Sequence, residues 1–128
     1  NVPCQSAIQT ALGGYQSIDD LVKENGRLRI QRDVTTDMLN GIDGISCVKP
    51  KGAMYCFAKV DEKKFNIQND EQMVLDLLSS EKILLVHGRA FNLTEGTYFR
   101  LVFLPHSDVL VPALHRIGNF FRTYKQGA

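Results

Sequence analysis

Seven residues set the tightest limit on this chain. In Thr97-Tyr-Phe-Arg-Leu-Val-Phe103, Thr97, Phe99, Leu101 and Phe103 fall on one side of an extended backbone, and Tyr98, Arg100 and Val102 fall on the other. Such a run is a β-strand that reserves one face for a core, and one strand cannot supply that core alone. Ala53–Val60 is a second run, apolar on both faces, which predicts a central strand. Ile45–Val48 and Ile83–Val86 add two shorter strands, and Lys49-Pro-Lys-Gly52 suits a hairpin or a sharp change of direction.

Elsewhere the apolar period lengthens to that of a helix. Ala7, Ile8, Ala11 and Leu12 mark a helix over Pro3–Leu12 that Gly13-Gly14 stops. Tyr15–Asn25 is a connection with a short helical turn at Ile18–Val22. Gly26–Asn40 is a second helix with Ile30, Val34 and Met38 spaced by four. Its first turn is crowded with basic residues that the helix dipole disfavours, so it depends on packing. Asp70–Ser80 carries Met73, Val74, Leu77 and Leu78 on one stripe. A last helix, capped by Ser107 or Asp108, carries Leu110, Ala113, Leu114, Ile117, Phe121 and Tyr124, and Pro112 is tolerated only near its start. His87–Gly96 is a polar loop, either mobile or lining a site. The order helix, helix, strand, strand, helix, strand, strand, helix predicts an α+β class, a small sheet with helices packed on one face.

Composition narrows the function. At 128 residues, 44% apolar and 23% charged, the chain has material for one core and little for disorder. Fifteen Lys and Arg against fourteen Asp and Glu leave no cationic excess for a phosphate backbone, so nucleic acid is not expected as a partner. No apolar run is long enough for a membrane span, and no membrane partner is expected. Cys4, Cys47 and Cys56 are too few and too scattered for a disulfide scaffold, which fits a reducing cytoplasmic setting. Asn1-Val2-Pro3 opens the chain inside an ordered helix without a methionine, as in a piece of something longer.

Arg100 is the candidate for chemistry. Desolvating a guanidinium costs several kcal/mol unless an anion meets it, and its planar fork matches a carboxylate through two hydrogen bonds. Either an internal Asp or Glu answers it or a ligand does, and on the strand alone the internal ion pair is the commoner case. Pro50-Lys-Gly-Ala-Met-Tyr55 is a weaker candidate, in which Gly52 permits close backbone approach before an aromatic-bearing strand; a plain Pro-Gly turn explains it equally well. Ser79-Ser-Glu-Lys82 spells S-x-x-K but lacks the companion signatures of acyl transfer and reads as a helix end. His87, His106 and His115 have no ligand spacing, so no metal is expected.

Four segments carry a resemblance. Asn1-Val-Pro-Cys-Gln-Ser-Ala-Ile-Gln-Thr-Ala-Leu-Gly-Gly14, Gly26-Arg-Leu-Arg-Ile-Gln-Arg-Asp33, Val48-Lys-Pro-Lys-Gly-Ala-Met-Tyr55 and Phe99-Arg-Leu-Val-Phe-Leu-Pro105 resemble, in order, the carboxy-terminal part of class I, fold-type I pyridoxal-phosphate aminotransferases. Within that family they are nearest to the bacterial alanine (glutamate–pyruvate) transaminases. The resemblance implies that residues 26–128 are the small domain, and 1–25 the end of the large domain and a linker. It implies that Arg100 binds the substrate α-carboxylate, which reverses the preference for an internal ion pair. Gly52, Ala53 and Tyr55 are second-tier candidates beside the substrate entrance.

The same resemblance implies a cytoplasmic homodimer that exchanges an amino group between L-alanine and 2-oxoglutarate, giving pyruvate and L-glutamate. Amino acids and 2-oxo acids are its substrates and pyridoxal 5'-phosphate its cofactor. The cofactor-bearing lysine and the residues that hold the cofactor's ring and phosphate lie upstream in the family, and Lys82 does not replace that lysine. This chain alone is therefore expected to bind no cofactor and to be inert, with no catalytic residue of its own. The alternatives are an aminotransferase of other specificity, a regulator with a transaminase-like domain, and a free-standing amino-acid-binding module.

Overall fold

A computed structural model of the chain describes residues 1–127. Four antiparallel strands form one sheet in the order β1 (Ile45–Cys47), β2 (Tyr55–Val60), β4 (Thr97–Val102), β3 (Val86–His87). The two longest strands, β2 and β4, lie in the middle, as the Ala53–Val60 pattern predicts. β1 and β2 pair Ile45 with Val60 and Cys47 with Ala58, so residues 48–54 make a wide connection rather than a tight hairpin. Along β2, Cys56, Ala58 and Val60 are buried while Tyr55, Phe57 and Lys59 are exposed.

Three helices cover the buried face: α3 (Arg27–Asn40), α5 (Asp70–Glu81) and α6 (Ser107–Thr123). The core gathers Phe99, Leu101 and Phe103 from the β4 run with Met73 and Leu77 of α5 and Leu114, Ile117 and Phe121 of α6. Phe121 stacks on Phe99 with ring centroids 6.1 Å apart. The helices leave the other face of the sheet open, which is the α+β arrangement expected from the sequence.

α3 spans nearly the expected residues but buries a different stripe. Gln31, Thr35, Thr36 and Leu39 are buried, whereas Ile30 is exposed and Val34 and Met38 are half-buried. Part of this polar stripe is satisfied by hydrogen bonds, while Thr35 Oγ1 and Gln31 Oε1 are buried without a partner. The Gln31 amide donates to the carbonyls of Leu104 (3.3 Å) and Pro105, and the Thr36 hydroxyl to Arg32 O (2.9 Å). One of the misplaced first-turn charges is also answered, because Arg27 Nη1 donates to Leu104 O at 3.1 Å. Gly26 begins the helix because a Cβ there would lie 2.4 Å from Leu21 O.

Other boundaries shift for local reasons. Residues 83–85 are not in the ladder: β3 pairs only Val86 with Arg100 and His87 with Phe99, while Leu85 turns into the core. α6 starts at Ser107 after His106, and neither Ser107 nor Asp108 caps it; Asp108 Oδ1 accepts only from Val109 N–H, and Pro112 falls in the second turn. α2 (Ser17–Val22) confirms the predicted turn, while α4 (Glu62–Phe65), capped by Asp61, and a 3₁₀ turn over Gly88–Phe91 carry no apolar period and went unpredicted. α1 (Val2–Gly13) buries no residue, leaving Val2 and Leu12 about three-quarters exposed.

Candidate functional site

Period-2 alternation puts Arg100 on the open face of a central strand, half-buried, directly across from Phe57 of β2 and beside Val86 of β3. No ion pair among the described residues includes it, and its Nε is buried without a hydrogen-bond partner. Aromatic rings meet the cation instead. Its guanidinium carbon is 4.7 Å from the centroid of Tyr55 and 4.4 Å from that of Phe91, and Phe91 packs edge-on to Phe57 at 5.4 Å.

Magnitudes decide what this arrangement demands. A cation–π contact contributes about 0.5–2 kcal/mol, whereas removing a charge from water costs several. The rings hold the cation in place without neutralising it, so the site is matched to an incoming anion. A carboxylate taken by two guanidinium N–H groups meets that need.

The structure brings Tyr55 to Arg100 and does not bring Gly52 or Ala53 there. Gly52 is exposed, and a Cβ on it would meet nothing within 4 Å. The constrained residue of the turn is Ala53, at φ 55°, where an L side chain is disfavoured. Lys82 lies apart as the left-handed residue closing α5, its Nζ donating to Ser79 O at 2.6 Å, which agrees with a helix end. All three cysteines are free thiols, Cys4 exposed and the others buried.

Phe57, Phe91 and Asp70 escaped the sequence reading. Phe91 alone carried a signal, as the one Phe, Tyr or Trp in the largely polar His87–Gly96 loop. The loop is neither wholly irregular nor detached: it opens on β3, makes the 3₁₀ turn, and packs Gly88 against Tyr98 of β4. Asp70, 3% exposed, accepts the Arg89 N–H at 3.0 Å through Oδ2.

Known proteins place this geometry in context. The family profile "Aminotransferase class I and II" matches residues 2–117. Glutamate-pyruvate aminotransferase AlaA of Haemophilus influenzae is 54% identical over 126 residues, which are 98% of this chain and 31% of that protein. Alanine aminotransferase of Mycobacterium tuberculosis is also 54% identical, over 98% of this chain and 29% of its own length. The crystal structure of an aminotransferase from Escherichia coli superposes with a TM-score of 0.90 at 51% identity, covering 98% of this chain and 31% of that one. The chain thus spans under a third of the length of these relatives.

Proposed function

The chain belongs to the class I and II aminotransferases, and on that premise we propose that it is the substrate-closing small domain of an alanine transaminase. Residues 26–128 are that domain, and residues 1–25 are the end of the large domain and its linker. The full enzyme transfers an amino group between L-alanine and 2-oxoglutarate to give pyruvate and L-glutamate, as a cytoplasmic homodimer. The high identity to relatives named for alanine and glutamate–pyruvate supports this reading.

The observation that carries it is the unneutralised Arg100 guanidinium on the open face of the sheet. Arg100 takes the substrate α-carboxylate through two parallel N–H donors, while Tyr55 and Phe91 limit the motion of the guanidinium plane. Fixing the carboxylate sets which bond at Cα is presented for reaction, and positioning of this kind is worth orders of magnitude in rate. Arg100 orients the substrate and moves no proton, since a guanidinium stays charged throughout. Docking of the rest of the enzyme on the open face and on α1 covers Tyr55, Phe57 and Leu12, all exposed in this chain, and excludes water from the ion pair.

Pyridoxal phosphate, the cofactor of this family in the full-length enzyme, supplies the carbonyl group that takes up the amino group and gives it back. The lysine that carries it, and the residues that hold its ring and phosphate, belong on this reading to the part of the enzyme upstream of these residues. Lys82 is engaged at the end of α5, and Lys59 lies exposed beside the Tyr98 ring. On this reading the isolated chain binds none.

The test is an assay of the purified full-length enzyme with L-alanine and 2-oxoglutarate, following pyruvate by coupled reduction to lactate. Pyruvate formation with alanine as the preferred donor is expected. Faster turnover of aspartate or an aromatic amino acid, with negligible pyruvate, rejects the alanine assignment.

A further inference from the structure

The carboxylate of Asp70 is the most deeply buried charge among the described residues, at 3% exposure, in the first turn of α5 and away from the open face of the sheet. Burying a carboxylate costs several kcal/mol unless charge and hydrogen bonds compensate, so its surroundings are informative. Its Oδ2 accepts the backbone N–H of Arg89 at 3.0 Å and faces His87 Nδ1 at 3.6 Å; Oδ1 faces Arg89 Nε at 3.5 Å. Every one of these contacts is to the segment that begins the 3₁₀ turn.

That turn ends at the candidate site. Gly88 seats it on β4, where a Cβ would lie 3.1 Å from Tyr98 Cβ, and Asn92 N–H and Leu93 N–H close it onto Arg89 O and Gly88 O. Phe91, its last residue, rests on the Arg100 guanidinium and on the Phe57 edge. β3 and the Gly88 seat fix where the turn starts, and the Asp70 carboxylate makes the one side-chain hydrogen bond that reaches it among the described residues, in a turn whose own 3₁₀ hydrogen bonds are individually poor. We infer that Asp70 is a positioning residue for substrate binding: by holding the Arg89 N–H it sets the turn so that Phe91 keeps the Arg100 fork aimed at the incoming carboxylate. The inference rests on the reading of Arg100 as the carboxylate site and adds a residue that does not touch substrate.

The test uses the full-length enzyme, with rates normalised to cofactor-loaded active sites, and compares Asp70→Ala, Asp70→Asn, Phe91→Ala and the Asp70→Ala/Phe91→Ala double variant. Asp70→Ala is expected to raise KM for both the amino acid and the 2-oxo acid about tenfold, with kcat changing less. Asp70→Asn keeps an acceptor for the Arg89 N–H and is expected to recover most of that, leaving KM about threefold raised. The double variant should match Phe91→Ala alone, because both substitutions act through one contact.

Multiplied effects in the double variant, or wild-type KM in both Asp70 variants, overturn the proposal. A merely structural aspartate would lower the folded fraction without moving KM per active site. If Asp70→Ala does not fold, Asp70→Asn alone and combined with Phe91→Ala decides by the same two criteria. Arg100→Lys is run alongside: wild-type KM there removes the carboxylate site itself, whereas raised KM there with wild-type KM in the Asp70 variants rejects only the role of Asp70.

Discussion

Tyr55 and Arg100 meet diagonally across the two central strands. Tyr55 is registered opposite Val102, one same-face position beyond Arg100, and its ring centroid lies 4.7 Å from the guanidinium carbon. An arginine in an apolar strand is thereby held without a carboxylate from its own chain, and its hydrogen-bonding capacity stays available.

Arg100→Lys in the full-length enzyme should lower kcat/KM for amino and oxo acids alike by about ten- to a hundredfold. An ammonium cannot reproduce the two-pronged contact, and a hydrogen bond to a charged group is worth about 1.5–3 kcal/mol. Steady-state kinetics with both substrates checks this, and unchanged constants would exclude the residue from the site.

Phe99→Ala should destabilise the isolated chain by about 3–5 kcal/mol, since it empties a fully buried position stacked on Phe121. Urea unfolding followed by far-ultraviolet dichroism measures it. A midpoint within error of wild type would contradict the packing described.

Ala53→Gly should stabilise the chain by about 0.5–1 kcal/mol, because glycine takes φ 55° without the Cβ penalty that alanine pays. The same urea experiment reads it. Destabilisation would mean that Ala53 does not sit in the left-handed region.

Tyr124 gives a pH signature. Burial first, and then its hydrogen bond to Asp76 Oδ2 at 2.7 Å, raise the phenol pKa above its usual value of 10. A pKa raised on folding gives stability that is whole below the unfolded pKa and is lost as pH climbs through the folded one. Unfolding free energies measured from about pH 8 to about pH 11 should therefore fall above about pH 10 in the wild type. The fall should be shallower in Tyr124→Phe, and parallel curves would refute the coupling.

Titrating the isolated chain with pyridoxal phosphate should give no saturable new band in the visible spectrum. A saturable band would show that residues 1–128 hold the cofactor unaided, and the division of labour with the missing part of the enzyme would have to be redrawn.

Much of the fold was legible because hydrophobic period is a local property. The β4 alternation placed Phe99 and Leu101 inside and Arg100 outside, and the α6 stripe of Leu110, Leu114, Ile117 and Phe121 is buried as its spacing requires. α3 misled: Ile30 and Val34 look like the core stripe, but the side carrying Gln31, Thr35, Thr36 and Leu39 is the buried one, and of its polar groups the Gln31 amide reaches another segment, at the Leu104 and Pro105 carbonyls. The edge strand at residues 83–86 was overdrawn because pairing needs a partner along its whole length, and only Val86 and His87 have one.

The sequence by itself determined that a cation would stand on the uncovered side of a four-stranded sheet, since side-chain direction in a strand follows from counting by two. Only the tertiary structure decided what would meet it. The Tyr55 ring reaches Arg100 through the pairing of β2 with β4, and the Phe91 ring through the resting place of the Gly88–Phe91 turn, which Asp70 of α5 holds by the Arg89 N–H. Hydrogen bonds between segments far apart in sequence leave no periodic trace, so this part of the site appears only once the chain is folded.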